Sequence, residues 1–220
     1  MSAVLAFFGL SFSALLPLIN PLGDALVFLG LIGPAPPAVY RRLAKRVAIN
    51  TSLFLILIEI AGAAIIKFFG ISLPVMQVSG GLVLAAMGWR LLSQDQPTPV
   101  AETATSPETD LSSLESKVFY PLTFPITAGP GCIVVMITLS AQASAQRGFA
   151  DLAAHGGIAL AVAALSAVVF VCYGFAPMIA ARIKPHTAHG VQRVIAFVLL
   201  SIGVQITWNG LAMLLGTLPR

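Results

Sequence analysis

Charged side chains are what this chain has least of. Only 9% of its 220 residues are Asp, Glu, Lys or Arg and 58% are hydrophobic, whereas ordinary soluble domains carry roughly 25% charge. So few charges cannot cover a water-facing surface, which excludes a soluble globular domain and leaves an integral membrane protein. Cysteine is nearly absent. Cys132 and Cys172 both fall in apolar runs, where they read as small hydrophobes and not as a disulfide. The histidines, His155, His186 and His189, have no metal-ligand spacing, so neither a metal nor a cofactor is expected. A phosphate-binding glycine loop is also missing, and ATP drive would need a separate subunit. The start, Met1-Ser2-Ala3, lacks the positive stretch of a cleaved signal peptide, so the first apolar segment reads as a mature helix. The formal charge of +4 sits at helix ends, where it sets orientation; no nucleic-acid partner is expected.

The apolar runs are what is present. A spanning helix needs about 20 mainly apolar residues, and the sequence divides into six such spans, near 4–33, 47–69, 75–92, 118–140, 152–181 and 191–215. The fold class expected is an all-α polytopic membrane protein. Residues 94–116 interrupt it with Pro97, Pro99 and Pro107, many Ser and Thr, and the acids Asp95, Glu102, Glu108, Asp110 and Glu115. That composition predicts a solvated, disordered linker between a first three-helix repeat (1–93) and a second (117–220).

Two spans carry breaks. Pro17-Leu18-Ile19-Asn20-Pro21-Leu22-Gly23-Asp24 lies near the expected middle of the first, and Pro121-Leu122-Thr123-Phe124-Pro125-Ile126-Thr127-Ala128-Gly129-Pro130-Gly131 lies in the fourth. Proline removes a backbone donor and clashes with the preceding turn. Such breaks survive at lipid depth only where protein covers them or they line a wet cavity. Pro17-Leu18-x-x-Pro21-Leu22 aligns with Pro121-Leu122-x-x-Pro125-Ile126 without a gap, and at a slightly different register Gln77 meets Gln192 and Gly88 meets Gly203. Three spans per half place the halves in opposite orientations, and paired Pro/Gly interruptions in two hydrophobic halves point to a transporter site. Where helices resume after Gly23 and Gly131, free amides at the positive end of the dipole could bind a carboxylate. Freed carbonyls with Asn20 and Thr127 could take an ammonium group, and Gly23, Gly129 and Gly131 permit close backbone approach. The plainer reading is a kink that helps packing.

At these residues the sequence resembles the MarC family of bacterial inner-membrane proteins. The resemblance rests on Asn20-Pro21-Leu22-Gly23 with Phe28-Leu29, on Phe69-Gly70-Ile71-Ser72-Leu73-Pro74 leading to Gly80-Gly81, on Pro121-Leu122-x-x-Pro125-Ile126-x-x-Gly129-Pro130-Gly131, and on Gln205-x-x-x-Asn209-Gly210. It implies six helices as inverted three-helix repeats, akin to LysE-type exporters, a bacterial inner-membrane location, and transport of small neutral amino acids such as glycine or alanine. It does not imply drug efflux. In the position after Asn-Pro-x-Gly, where the family commonly has Asn, this chain has Asp24.

Two of the eight acids lie at membrane depth, Asp24 and Glu59. A carboxylate there should face the bundle interior, and leaving water favours its protonated form, so both are proton-coupling candidates. The structural alternatives are that Asp24 caps the half-helix after the break and that Glu59, beside Gly62 and Ala63, makes an interhelical hydrogen bond. The substrate-binding candidates are Asn20, Pro21, Gly23, Asp24, Thr127, Gly129, Pro130 and Gly131. Gln205 and Asn209 share a helix face and could line the pathway or bond another helix. Arg90, Lys67 and Trp208 read as interfacial anchors, and the histidines as loop or helix-end residues. The expected function is a secondary transporter, not an enzyme, working by alternating access on a small polar solute in a lipid bilayer and possible as a homo-oligomer. A membrane scaffold or helper is the alternative. An intramembrane aspartyl-type protease is a remote one, because Gly23-Asp24 resembles part of such a motif but that chemistry needs two carboxylates sharing a site.

Nine lysines and arginines fall on one side of this arrangement (Arg41, Arg42, Lys45, Arg46, Arg90, Lys117, Arg182, Lys184, Arg193) and three on the other (Lys67, Arg147, Arg220). The richer side should be cytoplasmic, with both termini outside. Single cysteines introduced near the termini should therefore react with an impermeant thiol reagent in intact cells. Those placed at 95–115 should react only after permeabilisation; labelling at 95–115 in intact cells reverses the orientation.

Overall fold

The structure, a computed structural model, describes residues 3–93, 111–144, 146, 148–182 and 185–216. Among these residues there is no strand. In order come α1 (Ala3–Ile19), α2 (Pro21–Ile32), α3 (Pro37–Phe68), α4 (Leu73–Ser93), the short α5 (Leu111–Ser116), an irregular wound segment (Val118–Thr127), α6 (Pro130–Ser144), α7 (Phe149–Gly174), the short α8 (Ala176–Arg182) and α9 (Pro185–Gly216). Four stretches are long and apolar enough to cross a membrane: Ala3–Ile32, Leu73–Ser93, Phe149–Gly174 and Arg193–Gly216. A fifth is the bent pair Leu114–Thr127 and Pro130–Ser144, whose halves meet at 66°.

Six spans were expected, and the one near 47–69 is not among these five, the basic cluster and Glu59 lowering the apolarity of its helix; the arrangement differs in three places. α3 is a single helix of 32 residues that takes in the basic cluster Arg41–Arg46 ahead of the expected 47–69 span. Pro37 starts it, since a proline at the first helical position loses only an amide that has no partner anyway. The fifth span does not run unbroken to 181: the chain leaves the helix at Phe175 (φ −114°, ψ 18°) and rewinds as α8. Of the expected linker 94–116, Leu111–Ser116 is helical and Glu115 is bound by Arg42 Nη2 and Arg46 Nη1, each at 2.8 Å, while 94–110 lie outside the described residues. Glu115 is thus an anchored acid on the basic end and not a solvated linker residue. Asp95, Glu102, Glu108 and Asp110 lie outside the described residues, as do Arg147, Lys184 and Arg220 and the side chains of His186, His189 and Gln192.

Packing directions follow from named contacts. α1 and α7 run the same way, with Val4 and Phe8 against Gly157 at one end and Phe28 of α2 stacked on Tyr173 at the other. α3 runs against α7, with Arg41 and Ala44 beside Gly174 and Glu59 beside His155. Cys132 and Cys172 are free and buried, as small hydrophobes should be. The turn from α2 to α3 is tied by Tyr40, whose hydroxyl donates to Gly33 O (2.5 Å) and accepts from Ala35 N (3.2 Å).

α4 and α9 form the closest helix pair. Gly210 lies against Pro74, Gly81 against Gly203 and Thr207, and Gly88 against Ala196 and Leu200, so the two helices are antiparallel. Small residues let the backbones meet. The contacts also repeat: Gly203 faces the carbonyl of Gly81 and the amide and Cα of Ala85, while Gly88 faces the carbonyl of Ala196 and the amide and Cα of Leu200. Under the register that aligns Gly88 with Gly203, Gly81 falls on Ala196 and Ala85 on Leu200. The atoms correspond one for one, as a local two-fold axis between the helices requires.

A Cβ on Gly203 would strike the backbones of Gly81 and Ala85, whereas one on Gly30 meets nothing within 4 Å. Gly203→Leu should lower the unfolding free energy of the detergent-solubilised protein by about 1–3 kcal/mol, the usual cost of overpacking. Gly30→Ala should not lower it. Equal stability of the two variants would show that the α4–α9 seam is not close-packed.

Candidate functional site

The first break is one residue wide. α1 (17 residues) and α2 (12 residues) are separated only by Asn20, in the left-handed region at φ 43°, ψ 56°, which Asn tolerates better than most residues. Its side-chain oxygen accepts from Gly23 N (3.2 Å), and its carbonyl accepts from Asp24 N (2.9 Å). The helix therefore resumes at Pro21 and not after Gly23. Asn20 is its cap and Asp24 lies inside the first turn, which removes the reading of Asp24 as the capping residue. Gly23 has a local use as well: the Asn20 side chain occupies the space a Cβ there would need. The break also lies past the middle of Ala3–Ile32, towards the basic end.

The second break is wider. The peptide bonds Tyr120–Pro121 and Phe124–Pro125 are cis, and Tyr120 (φ −119°, ψ 122°) and Phe124 (φ −125°, ψ 128°) are extended. Threonine hydroxyls take over the carbonyls this disturbs: Thr123 Oγ1 donates to Val118 O (2.8 Å) and Thr127 Oγ1 to Leu122 O (2.7 Å). Thr127 Oγ1 is also 2.8 Å from the hydroxyl of Tyr173, a fully buried residue of α7. A hydroxyl has one proton, and that of Thr127 is committed to Leu122, so Tyr173 donates to Thr127. The α6 helix begins at Pro130, and Gly131 sits against Leu84 of α4 and Leu18 of α1. The space its side chain would need is filled by protein, so the glycine serves close packing there.

The two breaks come together. The carboxyl of Asp24, partly buried and without a hydrogen-bonding or ionic partner among the described residues, lies within electrostatic range of Cys132 in the first turn of α6 and of Tyr173. Tyr173 in turn holds Thr127. Asn20, Pro21, Gly23 and Asp24 thus face the group of Thr127, Gly129, Pro130 and Gly131 across Tyr173 and Cys132. The first-turn amides of Leu22 and Gly131 have no intrahelical carbonyl to bond. Together with Asp24 they are polar groups open to a small solute; the Oδ1 of Asn20 and the hydroxyl proton of Thr127 are engaged by the main chain. Tyr173 and Cys132 were not singled out by sequence reasoning. For Tyr173 a signal existed, a lone tyrosine at the end of an otherwise apolar run.

Three candidates lie elsewhere. Glu59 pairs with His155, which is about five turns from Tyr173 on α7, or about 27 Å at 1.5 Å per residue. The two membrane-depth carboxylates therefore do not share a site. Gln205 and Asn209 do share a face, joined by a 2.9 Å bond from Gln205 Nε2 to Asn209 Oδ1, but both are exposed and point away from the α4 seam rather than into the group between the breaks. No set of His, Cys, Asp and Glu among the described residues is arranged to hold a metal ion.

The comparisons with known proteins agree along the chain. The sequence model of the MarC family of integral membrane proteins matches residues 5–215. Proteins named inner membrane protein MarC from Salmonella typhimurium, Salmonella typhi and Escherichia coli O6:H1 are each 28% identical over 211 residues, covering 95% of this chain and 96% of the relative. No solved structure matches.

Asn20 is the residue whose geometry is most specific. Asn20→Ala should cost about 0.5–2 kcal/mol for the lost cap and roughly 1–2 kcal/mol more for a Cβ residue held left-handed. Asn20→Gly should cost only a few tenths. Thermal unfolding in detergent checks the order; an alanine variant as stable as the glycine variant would show that residue 20 is not left-handed.

Proposed function

This chain belongs to the MarC family of integral membrane proteins, and from that premise we propose that it is a secondary transporter of small neutral amino acids, of the glycine or alanine type, or of similarly small polar solutes. One observation carries the reading: the two Pro/Gly interruptions, from opposite halves of the chain, meet around Asp24, Tyr173 and Thr127. A site of this kind needs few groups. Free first-turn amides of α2 and α6 take the carboxylate, Asp24 takes the ammonium group, and Phe28 and Tyr173, stacked at 4.8 Å, wall the side that a larger side chain would need.

In this reading α3 crosses as the remaining span, making six, and the two halves are inverted repeats. The local two-fold between α4 and α9 supports that arrangement. Alternating access is then a rocking of one half against the other about the meeting of the breaks. Asp24 is the coupling carboxylate, because it alone of the interior acids faces the breaks. The protease alternative loses support from the separation of Asp24 and Glu59. A scaffold would leave the convergence of the two breaks without a use.

Uptake of labelled glycine, alanine and serine into proteoliposomes, with and without an imposed pH gradient, tests the proposal. Saturable uptake of at least one is expected, and none for any would overturn it. Asp24→Asn should raise the solute concentration needed for half-maximal uptake, the ammonium group having lost its carboxylate, and the uptake that remains should no longer respond to the pH gradient. Unchanged pH dependence would remove Asp24 from coupling.

A further inference from the structure

α9 has one face on α4 and leaves the opposite face uncovered. Ala196, Leu199, Gly203 and Gly210 are buried, and the two glycines lie against the α4 backbone. On the far side Val194, Val198, Ser201, Gln205, Trp208 and Ala212 are all exposed. They follow one another at intervals of four, three, four, three and four residues. That alternation keeps them on one straight stripe, the spacing with which two helices pack side by side. The stripe is about 27 Å long at 1.5 Å per residue, close to the hydrocarbon thickness of about 30 Å.

The chemistry of the stripe does not suit lipid. Gln205 lies at the middle of the apolar stretch Arg193–Gly216. Its Nε2 donates to Asn209 Oδ1 at 2.9 Å, which is the one hydrogen bond either side chain makes among the described residues. Two carboxamides carry four N–H donors and four acceptor lone pairs, so after this bond three donors and three acceptors remain. Acyl chains satisfy none of them, and an unbonded amide in an apolar medium is costly. Membrane helices meet that demand by hydrogen bonding to another helix.

We propose that two copies of the chain associate through α9, parallel and in register, with their Gln205–Asn209 pairs hydrogen-bonded across the two-fold axis. The leftover donors and acceptors are equal in number, so the pair is complementary to itself. All copies enter the membrane in one orientation, which sets two α9 helices parallel and brings both Gln205 side chains to the same depth. A soluble partner cannot reach mid-span, and a different membrane protein would have to carry matching carboxamides at that level. A second copy carries them by construction. Ser201 and Ala212, small residues on either side of Gln205, let the two backbones approach. One polar residue in an otherwise packed stripe also fixes the register, because any slip leaves its amide unpaired. The association does not depend on what the chain transports.

The test uses the full-length protein in liposomes at falling protein-to-lipid ratios, with subunits counted by single-molecule photobleaching. Wild type should be dimeric at ratios where the Gln205→Leu, Asn209→Leu double variant is monomeric, its dissociation constant raised by about tenfold or more. Both positions face away from α4, so thermal unfolding in detergent should be the same for the two proteins. Cross-linking tests the face with the amides intact. On mild oxidation in membrane vesicles, Ser201→Cys and Ala212→Cys should form disulfide-linked dimers. Leu82→Cys, on the exposed side of α4, should not; Cys132 and Cys172 are buried and keep the background low. Wild type that is monomeric at every ratio, a dimer that the double variant leaves equally tight, or preferential linkage through Leu82→Cys would overturn the proposal.

Discussion

The structure depends on one constraint: at lipid depth a backbone amide or carbonyl without a partner costs several kcal/mol, yet this chain breaks two spanning helices. Each break is repaired by side chains. Asn20 takes the amide of Gly23, and Thr123 and Thr127 take the carbonyls of Val118 and Leu122. The repairs determine what is left over. Residues that look from their chemistry like ligand contacts, Asn20 and Thr127, are occupied in holding the main chain, and a residue with an ordinary place in an apolar run, Tyr173, becomes the bridge between the breaks.

The same economy applies to glycine. Gly23 makes room for the Asn20 side chain, Gly131 for Leu84, and Gly81, Gly88 and Gly203 for the opposing backbone. At none of these does the missing Cβ leave empty space. With no hydrophobic driving force between helices in lipid, association depends on van der Waals packing and interhelical hydrogen bonds. The α4–α9 seam therefore tolerates less change than its plain apolar sequence suggests.

Much of this was legible beforehand. Hydrophobic run length located the spans to within a few residues for Ala3–Ile32, Leu73–Ser93 and Arg193–Gly216, and the prolines marked both breaks. The seam was foreshadowed by the match of Gly88 to Gly203. What could not be read was anything set by three-dimensional pairing. The capping role of Asn20 in place of Asp24 depends on a left-handed backbone, which Asn and Gly both allow. The distance between Asp24 and Glu59 depends on how α1, α3 and α7 lie together, although both acids sit inside apolar runs. His155 looked like a helix-end residue, yet its spacing of four from Asp151 already placed the two on one face; only Glu59, from far away in the chain, was out of reach. Glu115 was grouped with the linker acids by composition, and its fork to Arg42 and Arg46 is a tertiary fact.

The antiparallel seam of α4 and α9 also bears on how such a chain could come to exist. Its two sides belong to different halves, and each side presents to the other the backbone atoms that it receives. That is the geometry of an isologous subunit interface carried within one polypeptide. Each half brings its own adhesive face, and Glu115 adds a second fastening to the first half at Arg42 and Arg46. A pair of separately encoded halves would possess the same means of finding each other.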